Sequence, residues 1–192
     1  MLILPHTAFS AWVECQVRTW GQRLSWIWIL LLGVIVLNVI MRYLFAEGRI
    51  EFEEIQWHLY SFGFLFGLSF AYVSDSHIRV DVVREKLSPD TRAWVELYGI
   101  LLLLLPFILL VLVSAIPFVQ YSWANSEVSQ APGGLPLRWL VKGLLPLSFL
   151  LLLIVTLARL SRVMAFLFGF PAGIDDGSAS PTEPLSQQEP PP

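Results

Sequence analysis

Residues 55–82 read IQWHLYSFGFLFGLSFAYVSDSHIRVDV, and the place where this run changes character decides the fold. Ile55 to Val73 is apolar and carries no Asp, Glu, Lys or Arg. It has about the 20 residues that a helix needs to cross roughly 30 Å of hydrocarbon. From Ser74 the composition turns polar, and Ser74-Asp75-Ser76-His77-Ile78-Arg79-Val80-Asp81-Val82 opens a charged connector. His77 to Val82 alternates polar and apolar residues, whereas Val80, Val83 and Leu87 follow a helical i, i+3, i+7 stripe. Next to a membrane the stripe predicts a short interfacial helix, which Leu87-Ser88-Pro89 closes.

Outward from this run, three more apolar segments appear. They cover about 24–41, 94–119 and 139–160, with the segment 55–73 second in order. The expected fold is an all-α integral membrane protein with four transmembrane helices, and the interfacial helix lies between the second and third. The runs are continuously apolar, which excludes the alternation of a membrane β-barrel. Composition agrees: hydrophobic residues make up 56% and charged residues 14%, well below the roughly one quarter usual in soluble domains. Pro106 falls in the middle of the third span and is expected to kink it. Residues 1–23 form an amphipathic N-terminal segment with Phe9, Val13, Val17, Trp20 and Leu24 on one stripe. That segment either lies in the interface or forms the lower turns of the first span. It has neither a basic n-region nor a small-residue cleavage site, so insertion by the first span is expected. Residues 163–192 are expected to be a tail, disordered from about 171 where Pro, Ser, Gly, Asp and Gln take over.

Orientation follows from Lys and Arg. With the N-terminus inside, Arg18, Arg23, Arg79, Arg84, Lys86, Arg92, Arg159 and Arg162 are cytoplasmic. Only Arg42, Arg49, Arg138 and Lys142 are then outside, so both termini are expected in the cytoplasm.

The chemistry is marked mainly by what is missing. The middles of the four spans hold no Asp, Glu, Lys, Arg or His. Ion and proton pathways keep such groups in the bilayer, so a pump or autonomous transporter is disfavoured. The histidines are His6, His58 and His77. His58 and His77 stand 19 residues apart, about 28 Å along a helix, and cannot share one haem iron. Cys15 is the only cysteine, which excludes an internal disulfide and a thiolate metal cage. No metal and no cofactor is expected, and no basic patch points to nucleic acid. Gly63 and Gly67 form a GxxxG pattern where another helix can approach closely. Glu53 and Glu54 lead into the second span, either as part of a solvated turn or paired with a basic group on another subunit. His77, Arg79 and Asp81 have the donors and acceptors for a structural latch.

Several of these segments together resemble a known family. Asn38-Val39-Ile40-Met41-Arg42-Tyr43 closes the first span and Glu53-Glu54 opens the second. Gly67-Leu68-Ser69-Phe70-Ala71-Tyr72 ends that span, and His77-Ile78-Arg79-Val80-Asp81 follows. From about Arg23 to Arg162 the chain is similar to the small membrane subunit (DctQ-type, or Q subunit) of tripartite ATP-independent periplasmic (TRAP) transporters. The resemblance implies a multi-pass protein of the bacterial inner membrane. Its partners would be a large multi-span permease that carries the solute and sodium sites and a periplasmic solute-binding protein. The small subunit would be a non-conducting scaffold in the ion-gradient-driven uptake of an organic acid. Ser126-Glu127-Val128 to Leu135-Pro136 resembles a subgroup feature, which implies 2-oxo acids or related solutes. The residues expected at subunit interfaces or in structural roles are Arg42, Tyr43, Glu53, Glu54, Gly63, Gly67, His77, Arg79 and Asp81. The alternative from another class is a membrane anchor of a respiratory enzyme. A stand-alone enzyme is disfavoured, since no nucleophile–base pair is visible.

Overall fold

The computed structural model describes residues 4–46, 48–76 and 87–172, and among these no strand occurs. The α-helices among the described residues are α1 (Ala8–Leu24), α2 (Trp26–Leu44), α3 (Ile50–Val73), α4 (Pro89–Tyr98), α5 (Leu105–Ala124) and α6 (Arg138–Phe168). A π-helical turn, Gly99–Leu104, joins α4 to α5. The expected interfacial helix, and with it His77, Arg79 and Asp81, lies outside the described residues, as does the tail from residue 173.

Among the described residues, three stretches are long and apolar enough to cross a membrane: Ala8–Leu44, Pro89–Ala124 and Arg138–Phe168. α3 has 24 residues, about 36 Å, but Gln56, His58 and its tyrosines and serines make it less apolar than these. It lies centrally, packed on α2, α6 and α1, while α5 packs on α6.

Small side chains make many of the contacts between helices. Ala93, Ala115, Ala158, Ser69, Ser122 and Ser148 are all buried, while Leu102, Leu103, Leu110 and Val113 face outward. In water this arrangement would be inside out. In lipid it is expected, because tails solvate leucine as well as a core does and association rests on close packing. The central cluster is Ile108, Phe149 and Leu152, with Leu65, Leu104 and Leu145 against it.

Pro106 acts through hydrogen-bond register. Proline has no N–H, and its ring collides with the carbonyl four residues earlier. Here the chain widens into a π turn just before it, and the Leu105 N–H reaches back to Ile100 O. Pro106 then sits in the first turn of α5, where a missing donor is tolerated. Pro117 and Pro146 also lie inside helices. α6 runs on to Phe168 and ends at Gly169, whose φ of 70° is the left-handed conformation that glycine adopts without a Cβ penalty.

α3 and α5 end in the same way. The Ser76 N–H bonds to Ala71 O and the Asp75 N–H to Tyr72 O. The Glu127 N–H bonds to Ser122 O and the Ser126 N–H to Trp123 O. Both are Schellman caps with a residue other than glycine at the left-handed position, Asp75 at φ 54° and Ser126 at φ 45°. Each cap delivers an acidic side chain to a basic residue of α6.

Candidate functional site

The polar groups gather in two layers, one near each end of α6. The first is built on Arg159 and Arg162. Arg159 Nε donates to Glu96 Oε1 of α4 at 2.5 Å, and its Nη2 lies 3.7 Å from Asp75 Oδ1. All three side chains are less than one-fifth exposed. One turn further on, Arg162 Nη1 donates to Glu14 Oε1 of α1 at 2.7 Å. Its Nη2 donates to Leu4 O at 2.9 Å, and its Nε reaches Pro5 O at 3.4 Å.

α1 starts at this layer for local reasons. The Thr7 hydroxyl accepts from Ser10 N–H while Ser10 Oγ accepts from Thr7 N–H, a reciprocal cap. Thr7 Oγ1 also meets Ser161 Oγ at 3.0 Å. Val13 and Val17 then pack on Val155 and Ala158. The amphipathic stripe of α1 is therefore covered by α6 and α3 over these residues.

The second layer closes the opposite end. Glu54 accepts from Ser129 Oγ and, at 2.5 Å, from the Leu135 N–H. Gly134 lies so close that a Cβ there would sit 2.5 Å from Ser129 Cβ and 2.8 Å from Glu54 Oε1. Only glycine fits this approach. Glu127 pairs with Lys142 and stands 4.0 Å from Arg138, and Lys142 also covers the Phe118 ring at 4.2 Å. The Pro-Gly-Gly loop is thus a fitted cap across the ends of α3, α5 and α6.

The Lys142 hydrogen bond, followed by further hydrogen bonding and charge attraction, holds the Glu127 carboxyl below its usual range. A carboxylate with a lowered folded pKa stabilises the fold above its unfolded pKa, and that contribution is lost as pH falls through the folded value. The thermal midpoint of the chain is therefore expected to decline as pH drops below about 4.3, the ordinary glutamate value. Glu127→Gln should lower the midpoint at pH 7 and flatten the acid limb, as read in an unfolding series across pH.

The residues singled out from sequence are placed unevenly. Arg42 and Tyr43 are exposed at the end of α2, with the guanidinium 5.1 Å from the ring centroid. Glu53 is exposed, and Glu54 is engaged within the chain by the loop. Gly63 is buried, and a Cβ there would lie 3.1 Å from both Ile27 and Trp28 of α2. Gly67 faces open space instead. The GxxxG pattern is thus half used within the chain. His6 stands 3.8 Å from Glu14 in the first layer, and His58 Nδ1 donates to Glu54 O at 2.5 Å in the second. The two histidines lie at opposite ends. Among the described residues no cluster of His, Cys, Asp or Glu could hold a metal ion.

Sequence reading missed the pairing partners. Arg159 and Arg162 count there only as signs of orientation, and Glu14, Glu96 and Asp75 are given no ion-pair partner. The available signal is spacing: two arginines three apart end an apolar run, with acids near the same ends of three other segments.

These features define a helical membrane protein in which, among the described residues, the middles of α2, α3 and α5 carry no charge and several charges are paired within the chain. The family model described as "Tripartite ATP-independent periplasmic transporters, DctQ component" matches residues 31–166. The chain belongs to the DctQ family, a component of TRAP transporters. No curated protein matches it.

Proposed function

We infer that this chain is the small, non-conducting scaffold subunit of a TRAP transporter in a bacterial inner membrane. In this reading α2, α3, the α4–π–α5 unit and α6 are four crossings, and both termini are cytoplasmic. A large multi-span permease carries the solute and coupling-ion sites, and a periplasmic binding protein delivers the solute. The coupling ion is sodium and the solute an organic acid, with a 2-oxo acid the first to try. The chain catalyses no reaction of its own.

One observation carries the non-conducting role. Among the described residues, α5 holds no Asp, Glu, Lys or Arg, those of α2 and α3 lie near a helix end, and those of α6 fall in its first five or last ten residues. Arg159 and Arg162 pair with Glu96 and Glu14 on neighbouring helices, and Lys142 pairs with Glu127 of the loop after α5. A path for ions would keep such groups in mid-membrane. The buried pairs instead fix the relative height and rotation of the helices, which is what a scaffold requires.

The test is reconstitution. Proteoliposomes holding permease and binding protein are expected to show ion-driven uptake only when this chain is present. Full uptake without it would refute the scaffold role. Gly67 supplies a local test, because its open face leaves room for a larger side chain within the chain. Gly67→Leu should preserve the thermal midpoint and lower co-purification of the permease. A normal yield of complex would show that this strip meets lipid.

A further inference from the structure

A cavity of about 220 Å³ opens in the layer built on Glu54. Glu54, His58 and Ser61 of α3 line it, together with Ser129 of the loop and Arg138 of α6. The pairings of the layer leave polar groups of both kinds unengaged there. Arg138 is 45% exposed and 4.0 Å from Glu127, a carboxylate that Lys142 already holds. Among the described residues its guanidinium donates no hydrogen bond. His58 Nδ1 donates to Glu54 O, so Nε2 of the neutral ring presents a lone pair. The Glu54 carboxylate accepts from Ser129 and Leu135, which fill two of its roughly four acceptor positions. Ser61 adds a hydroxyl. The cavity therefore joins one cation to a carboxylate, an imidazole nitrogen and a hydroxyl, and its two fixed charges cancel.

We propose that this cavity binds a zwitterion in which a primary ammonium lies a few bonds from an anion. An ammonium carries three hydrogens, and Glu54, His58 Nε2 and Ser61 Oγ are three acceptors for them. The anion meets the Arg138 guanidinium, whose planar fork suits carboxylate and phosphate alike. A plain anion would face the Glu54 charge uncompensated, and a plain cation would face Arg138. The space is below the roughly 300–1,000 Å³ of sites for drug-sized ligands, which suits a free amino acid or an ethanolamine phosphate headgroup. Trp57 also lines the cavity and is exposed near the start of α3, as in an interfacial aromatic belt, so headgroups come within reach. A ligand held in this way ties α3 to α6.

The experiment uses the full chain in lipid-free detergent, with isotope-labelled histidine read by NMR. The chain has three histidines, and the signal lost in His58→Gln is that of His58. Glycerophosphoethanolamine or glycine, added at constant pH, is expected to shift the His58 signal saturably. His6 lies in the other layer, and its signal should stay in place. Glycerophosphoglycerol, which lacks the ammonium, should bind about tenfold more weakly. Arg138→Gln should weaken binding of the zwitterion by a similar factor, and Ser61→Ala by about threefold, with the thermal midpoint kept. Phosphatidylethanolamine bilayers giving the same shift assign a lipid headgroup, and glycine giving it assigns a free amino acid. No saturable shift with any of these, equal affinity for glycerophosphoglycerol, or an affinity unmoved by Arg138→Gln overturns the proposal.

Discussion

Replacing Arg159 by alanine is expected to lower the stability of the bundle by about 3–5 kcal/mol, the range for removing one partner of a buried ion pair. Arg159 is held against Glu96 and Asp75, and all three are largely out of solvent. Without the guanidinium, the largely buried Glu96 carboxylate loses the cation that it pairs with, and must take up a proton or draw in water. The loss should therefore be steepest at neutral pH and ease in acid. Denaturant unfolding in detergent at pH 7 measures it. The double variant Arg159→Leu/Glu96→Leu is expected to recover much of the loss, since a well-packed apolar pair avoids desolvation. A single substitution costing under about 1 kcal/mol would mean that water already reaches this layer.

Arg162→Ala is the second large effect, and it should be local. This side chain gathers Glu14, Leu4 O and Pro5 O, joining the start of the chain to α6. Its removal leaves the Glu14 carboxylate with only His6 near it, at 3.8 Å, and frees two carbonyls. The valines of α1 remain as the main attachment. Amide exchange across Ala8–Leu24 is expected to rise roughly hundredfold or more, with α5 and the middle of α6 unchanged. Arg162→Lys should rescue little, because a point charge cannot reproduce a fork with three separate partners. Uniform acceleration through the whole chain would instead assign Arg162 to the central core.

The helices were legible in the sequence because lipid leaves little choice: a long apolar run must satisfy its own backbone. The break at Pro132-Gly133-Gly134 was legible for a similarly local reason, since proline and paired glycines do not continue a helix. The family was legible through motifs around Arg42, Glu53-Glu54 and His77-Ile78-Arg79-Val80-Asp81. The match over residues 31–166 lies mostly within the region those motifs suggested. The pairings were not legible. Arg159 finds Glu96 across 63 residues of sequence, and Glu54 finds Leu135 across 81. Such partners depend on the rotation and height of each helix, which hydrophobic periodicity leaves almost free when every face is apolar. The role of Gly134 was hidden for the same reason, since its closeness to Glu54 exists only once the loop has folded over α3.

The π turn at Gly99–Leu104 has a consequence for aim. Each α-helical residue advances about 100° around the axis, so one residue absorbed into a wider turn dephases everything before it by about that angle. Glu96 lies on the early side of that shift and the Ile108 contact surface on the late side. With an unbroken α-helix, the face that seats Ile108 against Phe149 would carry Glu96 roughly a quarter-turn or more from Arg159. The wider turn lets one continuous rod present two faces that ordinary helical geometry would hold out of step.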